Sequence, residues 1–398
     1  MRMKKIMILA VAAIAMVACT KTYEVVETSQ EQSPIGFGTW TDVMTKSRSA
    51  GTGSFTNGDK FDVYGTKTVS ENTTTVFNGV AVSYNGTVWS YSPVRFWDKS
   101  ASNYTFYAVL PFVDSNNDGA NDIISSAGSG NTFGQFTSTS IVFNEPTTNN
   151  QDILVASKYS RNASLPDTPI TTNEVQLAFN HIASLVDIKV KKDQALENAN
   201  ATVKIIKAQL DAIKNTGSFS VSGYDNSSNV PTFTGTGWTP DATPTTTTYY
   251  PSVANTNGTL TSELEVSSNT TYDDNGLAGT TTPDANALFS DYVVMPQVLG
   301  TTASDQRLVI TYSITTGTAP NADVNTYTDV AINLASFVKA DNNNPNPDNK
   351  TNAGAAITSW MPGTHYTYYV TIGANAITFT ATVNNWSETV NGYHYLVN

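Results

Sequence analysis

The C-terminal residues 377–384, ITFTATVN, carry the clearest secondary-structure signal in the chain. Apolar and polar side chains alternate there with a period of two, the pattern of a β-strand that buries one face. The apolar members are Ile377, Phe379, Ala381 and Val383. The alternation returns nearer the C-terminal end at Tyr393, Tyr395 and Val397. Such strands bury their apolar face either in their own domain or against another subunit by β-strand addition.

Composition narrows the class of protein. The 398 residues are enough for two domains, or three, and only 14% are charged. The net charge of −12 leaves no basic surface for nucleic acid. A single cysteine excludes a disulfide framework, and the three histidines match no metal-ligand spacing.

The rest of the chain also has the pattern of strands and turns. Residues 84–89, YNGTVW, place Asn-Gly between apolar flanks, which predicts a β-hairpin. Within residues 175–190 the apolar positions change from odd to even, which indicates a bulge or a strand that passes from one sheet to another. Residues 203–213 fit both a helix and a strand. The sequence therefore predicts an all-β fold, with a domain boundary just before the change of parity, near residue 172.

The N-terminus has the features of an export signal. Basic residues precede a short apolar segment, and residues 16–19, MVAC, end in the only cysteine. This arrangement is similar to a bacterial lipobox, which predicts a signal peptide over residues 1–18 and lipidation of Cys19. The alternative is an ordinary signal peptide with a chance cysteine. Both place the mature protein outside the cytoplasm.

Residues 20–48 are polar except for one strand-like segment that contains Ile35 and Phe37. The segment is followed by residues 45–48, TKSR, in a Ser- and Gly-rich stretch. Such a stretch is typical of an exposed loop that a protease can cut, here after Arg48, or of a plain linker.

One segment resembles a calcium-binding loop. In residues 114–125, side chains with oxygen atoms occupy positions 1, 3, 5 and 9 of the calcium-loop pattern, and a glycine occupies position 6. Position 12, however, is Ser125 rather than an acidic residue. The candidate ligands are Asp114, Asn116, Asp118 and Asp122. The alternative is an Asn/Asp/Gly turn, and no other cofactor is predicted.

The sequence supplies no catalytic motif, so no catalytic residue is assigned. We expect the histidines to be structural and hydrogen-bonded, because no motif supplies a catalytic partner. We expect four tryptophans to be core or interface residues, with sugar-stacking platforms as the alternative for any that are exposed. They are Trp89, Trp97, Trp360 and Trp386.

Several motifs together resemble the fimbrillins of Bacteroidia, the subunits of type V pili, in family order over nearly the whole chain. They are the lipobox, Ile35-x-Phe37, the 45–48 motif, 89–93 WSYSP with Phe96 and Trp97, 104–111, 152–156 DILVA, 179–181 FNH, 294–297 VMPQ and 360–368 WMPGTHYTY.

The resemblance implies two tandem transthyretin-like β-sandwich domains and a mechanism of assembly. Residues 19–48 form a propeptide whose strand, with Ile35 and Phe37, is released by a cut after Arg48. Residues 49–171 and 172–398 form the two sandwiches, and the second ends in candidate donor strands, 376–398. A donor strand fills the emptied groove of the next subunit. The implied partners are other pilus subunits (copies of itself, an anchor and a tip) and the outer membrane through the lipid.

Three other functions stay open from the sequence. The protein is alternatively a surface lipoprotein that binds a glycan or a host protein without polymerising, or an anchor subunit that keeps its N-terminal strand. The last alternative is an enzyme such as a surface glycosidase, which would require two carboxylates in one cleft. Within the leading hypothesis, the alternating C-terminal segment favours a stalk subunit.

Overall fold

The structure is a computed structural model of the chain. It describes residues 34–39, 55, 57–112, 117, 119, 124–125, 140–144, 152–156, 159–162, 174–177, 179–220, 238–241, 246–266, 286–339, 356–374, 377–385, 389–390 and 393–394. Within these ranges, no helix has the length and apolarity needed to cross a bilayer.

The first half of the described chain consists of strands joined by turns. These strands are β1 (Gly36–Thr39), β2 (Lys60–Val69), β3 (Asn72–Tyr84), β4 (Trp89–Ser90), β5 (Asn103–Leu110), β6 (Ile124–Ser125), β7 (Ser140–Asn144), β8 (Leu154–Ala156), β9 (Tyr159–Asn162), β10 (Glu174–Leu177) and β11 (Phe179–His181).

Most of these strands belong to one sheet with the order β11-β8-β5-β2-β3-β4, and β9 also pairs with β5. The strands β1 and β10 form a separate two-stranded sheet. The two sheets share one hydrophobic core, whose large members include Phe61, Phe77, Phe106, Val175 and Leu177. This N-terminal core positions the candidate site described below.

The second half of the chain is also built from strands. They are β12 (Ser184–Lys192), β13 (Thr202–Lys214), β14 (Thr216–Ser220), β15 (Trp238–Pro240), β16 (Thr246–Tyr249), β17 (Thr259–Glu265), β18 (Ala287–Val294), β19 (Arg307–Thr316), β20 (Asp323–Asn333), β21 (Val338–Lys339), β22 (Thr364–Ile372), β23 (Ile377–Asn385), β24 (Thr389–Val390) and β25 (Tyr393–His394). Helical structure in the described chain comprises α1 (Gln194–Asn198) and a 3-10 turn, Leu334–Ser336.

Two sheets enclose the C-terminal core. One has the order β18-β12-β22-β23-β21, and the other has the order β16-β13-β19-β20 with β17 also paired to β13. Five residues of β13 are fully buried and belong to this core, namely Val203, Ile205, Ala208, Leu210 and Ile213. Trp360 and Tyr368 lie in this core without solvent exposure, and the indole N–H of Trp360 donates to the Tyr368 hydroxyl at 2.7 Å. The fold is therefore all-β, as the sequence predicts.

The chain passes from the N-terminal to the C-terminal sheets at residues 182–183. β11 pairs with β8, whereas β12 pairs with β18 and β22. This change of sheet explains the change of parity within residues 175–190. The strands β10 and β11 pair with N-terminal strands. The strand pairing therefore places the boundary between the two halves about ten residues after the predicted boundary at 172. The division into two tandem domains stays a prediction, since a further sheet, β15-β14-β7-β6, takes strands from both halves.

Two local predictions have clear outcomes. The Asn-Gly hairpin is confirmed: β3 and β4 pair Tyr84 with Trp89, and Gly86 has a φ of 92°. The Asn85 side-chain oxygen accepts hydrogen bonds from the Thr87 and Val88 N–H groups, each at 2.9 Å. The ambiguous 203–213 segment is a strand, because β13 pairs along its length with β19 and only a strand can make those bonds.

Candidate strand-exchange groove

The N-terminal strand β1, together with Ile35 immediately before it, lies in a groove whose two sides bind the backbone of this segment. On one side β1 runs parallel to β10, with Gly36 opposite Glu174 and Thr39 opposite Leu177. On the other side the Ile35 N–H donates to the Arg95 carbonyl at 2.8 Å. These contacts satisfy backbone groups that would otherwise be left unpaired in a buried site.

Tyr91 holds the same strand through its hydroxyl group. The hydroxyl donates to the Ile35 carbonyl at 2.6 Å and accepts a hydrogen bond from the Arg95 N–H at 3.2 Å. The hydroxyl therefore links β1 to the 91–95 loop, which forms one wall of the groove.

The side chain of Phe37 fills a pocket made of aromatic rings, which we call the aromatic socket. Phe37 is 3% exposed, and each socket ring meets it edge-to-face, at interplanar angles from 65° to 86°. The socket consists of Phe61, Phe77, Tyr91 and Phe106, with centroid distances to Phe37 of 6.1, 5.3, 5.6 and 6.0 Å. These are favourable arrangements for aromatic pairs.

Gly65 of β2 leaves room for two of the socket rings. A Cβ atom at this position would lie 2.9 Å from Phe106 Cδ1 and 3.0 Å from Phe77 Cδ2. A side chain at Gly65 would therefore displace these two rings, which both contact Phe37. The depth of the socket therefore depends on this glycine.

The contacts of β1 have a moderate total strength. Burial of Ile35 and Phe37 contributes about 1.5–3 kcal/mol each, and each backbone or hydroxyl bond contributes about 0.5–1.5 kcal/mol net. The strand is therefore held by about 5–10 kcal/mol while it is covalently connected to the rest of the chain. Separate molecules must also overcome an association cost of at least about 4 kcal/mol.

The chain between β1 and the rest of the domain contains Arg48, which lies with Cys19 outside the described residues. The next described residue is Phe55, whose ring packs 4.8 Å from Trp89 and 6.2 Å from Tyr84. Phe55 thus fixes the chain to the N-terminal core downstream of the predicted cleavage position. The two residues predicted for the removable strand, Ile35 and Phe37, both lie buried in the groove.

The two parts of the predicted donor segment are held differently. β23 pairs antiparallel with β22 from Ile377 to Asn385 and in parallel with β21. Ile377 also packs against the C-terminal core. Phe379, Ala381 and Val383 therefore belong to an inner strand of their own sheet. By contrast, β24 and β25 pair with each other within the described chain. Tyr393 lies in β25, and Tyr395 and Val397 lie outside the described residues.

The candidate calcium ligands Asp114, Asn116, Asp118 and Asp122 also lie outside the described residues. The neighbouring Asn117 and Gly119 have φ angles of 59° and 83°, the left-handed conformation that Asn and Gly adopt in turns. Calcium binding at this loop stays a prediction. No group of three or more acidic, His or Cys side chains suited to a metal ion occurs in the ranges that the structure describes.

Two histidines are hydrogen-bonded, as expected from the sequence. His181 Nδ1 lies 2.6 Å from an oxygen of the buried Asp152 side chain. His365 Nε2 lies 2.8 Å from Asp187 Oδ2. The side chain of His394 lies outside the described atoms.

The carboxylates near His365 have shifted pKa values in opposite directions. Burial raises the pKa of Asp187, but hydrogen bonds from His365 and from the Asp291 N–H outweigh it and hold this pKa below its usual value. Burial and the charge of Asp187 raise the pKa of Asp291. The arrangement is a hydrogen-bonded contact between strands β12, β18 and β22, in which each carboxylate oxygen of Asp187 has one partner.

The glycosidase alternative receives no support from the described cavity. A cavity of about 760 Å³ lies at one edge of the C-terminal sheets. Its lining includes Arg307, Tyr312, Tyr327, Asn333 and Ile377 but no Asp or Glu. Trp97 and Trp360 are buried, which confirms their expected core role; Trp89 is partly buried and Trp386 lies outside the described residues.

Sequence reasoning missed two residues that shape the groove. Tyr91 was part of the 89–93 motif but had no assigned role, because its contact with Ile35 spans residues far apart in sequence. Gly65 had one available signal, since an isolated glycine inside a strand indicates close approach of neighbouring atoms.

Comparison with known proteins relates the chain to fimbrial proteins. The family model described as "Fimbrillin-like" matches residues 45–386. A fimbrial protein from Bacteroides vulgatus has a similar structure, with a TM-score of 0.52 and 20% identity over 89% of this chain and 99% of its own. The C-terminally truncated tip fimbrial protein Mfa3 from Porphyromonas gingivalis has a TM-score of 0.35 and 11% identity, over 83% of this chain and 95% of its own. No curated protein sequence matches the chain significantly.

Proposed function

This chain belongs to the fimbrillin-like family of fimbrial structural proteins, and from this premise we propose that it is a pilus subunit that polymerises by strand exchange. In this proposal the precursor is exported, lipidated at Cys19 and carried to the outer membrane. A protease cuts after Arg48, β1 leaves its groove, and a donor strand of the next subunit replaces it. The resulting fimbria supports adhesion.

The observation that carries the proposal is the position of β1. It is buried in the N-terminal core, yet it is connected to that core through residues 40–54, which include Arg48. Phe55 packs on Trp89 beyond this connection. A cut after Arg48 therefore leaves the mature chain fixed at Phe55, while β1 loses its covalent connection.

The strength of the β1 contacts is suited to exchange. About 5–10 kcal/mol holds a tethered strand firmly. Once the connection is cut, the association cost reduces the net affinity of the fragment, so a competing strand displaces it. The competing strand restores both the backbone hydrogen bonds and the buried area, which makes the empty groove the less stable state.

We propose that the donor lies in residues 386–398, with Tyr393, Tyr395 and Val397 on its buried face. The upstream candidates Ile377, Phe379, Ala381 and Val383 belong to β23, which is bonded on both sides, and its release would open the C-terminal core. A donor at one end and a groove at the other give a head-to-tail contact, which propagates as a filament.

The proposed partners are those that membership of the fimbrillin-like family implies. Copies of this chain provide both donor and acceptor surfaces. An anchor subunit and a tip subunit terminate the filament, and the lipid on the precursor associates it with the outer membrane. A host protein or glycan is the proposed target of adhesion, and no described residue is assigned to that contact.

The test uses residues 20–398, which lack the lipidation site. The protein is treated with an Arg-specific protease, and mass spectrometry establishes whether the new N-terminus is Ser49. Filament formation is followed by gel filtration and negative-stain electron microscopy. The matched controls are Arg48→Ala, which removes the cleavage position, and a chain that ends at Asn385, which keeps β23.

The proposal predicts filaments from the cut protein and none from either control. Filaments from the chain that ends at Asn385 would exclude residues 386–398 as the donor. A cut protein that stays monomeric and keeps residues 20–48 bound would favour an anchor subunit or a monomeric surface protein that binds a glycan or host protein.

A further inference from the structure

The groove holds the N-terminal strand through its backbone atoms and through the aromatic socket around Phe37. Arg95, β10 and the Tyr91 hydroxyl bind backbone atoms of β1, and any extended strand supplies such atoms. In strand addition the backbone bonds give affinity and side-chain pockets give specificity. A deep and enclosed pocket of this kind is formed around Phe37.

We propose that the aromatic socket is the specificity pocket for the incoming strand, that it selects a planar ring, and that Tyr395 of a second copy supplies this ring. The inference rests on the proposed function, and it adds which side chain of the donor is recognised and by which residues.

The shape of the socket favours a ring over an aliphatic side chain. Phe61, Phe77, Tyr91 and Phe106 all meet Phe37 at steep interplanar angles. A branched aliphatic side chain loses these edge-to-face contacts and leaves part of the volume empty, and both effects weaken binding.

Tyr395 is identified by its place in the alternating pattern. In a strand, side chains at every second residue share one face, and Phe37 shares its buried face with Ile35, so the donor ring needs an apolar neighbour at the same spacing. The proposed donor offers Tyr393, Tyr395 and Val397, and its middle member is Tyr395. Tyr395 has such a neighbour on either side, so it meets this requirement whether the incoming strand runs parallel or antiparallel to β10. The match therefore does not depend on the direction of the donor.

The experiment measures displacement of the N-terminal fragment from the cut full chain, residues 20–398, at a dilute concentration. Synthetic peptides of residues 386–398 are added, and release of the 20–48 fragment is followed by gel filtration with mass spectrometry. The peptides carry the natural sequence, Tyr395→Phe, Tyr395→Leu or Tyr393→Leu. The last peptide is the matched control, with the same substitution at a flanking position of the same face.

The proposal predicts that Tyr395→Phe displaces the fragment as well as the natural peptide does, because the ring is kept. Tyr395→Leu should require a concentration about tenfold higher or more, since it loses edge contacts to several rings. Tyr393→Leu should change the concentration by less than about threefold, because the socket does not receive that side chain. Equal displacement by Tyr395→Leu and the natural peptide would overturn the proposal.

Filament formation separates a failure of this inference from a failure of the proposed function. If full-length Tyr395→Leu assembles normally while the chain ending at Asn385 does not, strand exchange stands and selection by the socket is wrong. If the natural peptide displaces nothing while a peptide of residues 31–44 exchanges freely, residues 386–398 are not the donor and both proposals fail.

Discussion

The substitution Phe37→Ala in the uncut chain tests how firmly β1 is held. Phe37 is 3% exposed and meets four rings. Truncation of a buried Phe costs about 3–5 kcal/mol, which is roughly half of the contact energy of β1 derived above. The strand should therefore open far more often while the rest of the fold stays intact.

Hydrogen exchange followed by mass spectrometry measures this opening locally. A loss of 3–5 kcal/mol corresponds to exchange that is faster by a factor of about 10² to 4 × 10³ at the amides that join β1 to β10, since about 1.4 kcal/mol is tenfold. Amides of β13 and β19, in the C-terminal core, should keep their protection. The readout does not require the whole chain to unfold in a single step.

Phe96→Ala is the matched control for this experiment. Phe96 is also next to β1, because its backbone forms a bridge with Pro34, but its side chain is 47% exposed. Surface substitutions of this kind cost up to about 0.5 kcal/mol, or about twofold in exchange. Similar acceleration in Phe37→Ala and Phe96→Ala, or no acceleration in Phe37→Ala, would refute the view that the socket holds β1.

Three further outcomes are expected. Tyr91→Phe keeps the ring but removes the hydrogen bond to the Ile35 carbonyl, so release of the fragment after cleavage should become about two- to tenfold faster; an unchanged rate would contradict the role of the hydroxyl. Asp187→Asn should lower the melting temperature at pH 7 and match the wild type at low pH. The reason is that the folded-state pKa of Asp187 lies below its unfolded value of about 3.9, so its contribution is present above that value and is lost as the pH falls through the folded pKa; a difference that stays constant down to pH 2 would exclude this linkage. Trp360→Phe removes a buried hydrogen bond to the Tyr368 hydroxyl, so the free energy of unfolding measured in urea should fall by about 1–3 kcal/mol. Near-equal stability of the variant and the wild type would contradict this role of the hydrogen bond.

Local sequence pattern predicted much of the fold because strand periodicity reflects burial directly. The Asn-Gly hairpin is present, and the change of parity near residue 182 coincides with a change of sheet. The position of Ile35 and Phe37 in a buried strand also follows from their alternation and from the family resemblance. The described ranges do not include Cys19, Arg48 or the four candidate calcium ligands, so those assignments stay predictions.

The other contacts of the groove join residues that are distant in the sequence, and the local pattern of apolar and polar residues does not predict them. The parallel pairing of β1 with β10 joins residues far apart in the chain, and neither short strand specifies its partner. The role of Tyr91 arises from a loop that is folded back on Ile35. The strand β23 has the alternation expected of a donor, but the same alternation suits an inner strand of its own sheet. Periodicity reports that one face is buried, not which molecule covers it.

The most direct measurement is the structure of the filament that forms after cleavage at Arg48, determined by electron cryo-microscopy. The account predicts that residues 386–398 of a neighbouring copy lie along β10, with Tyr395 in the aromatic socket, and that β23 stays between β22 and β21 of its own copy. A groove that still contains residues 34–39 of the same copy, in a filament joined by other surfaces, would contradict it.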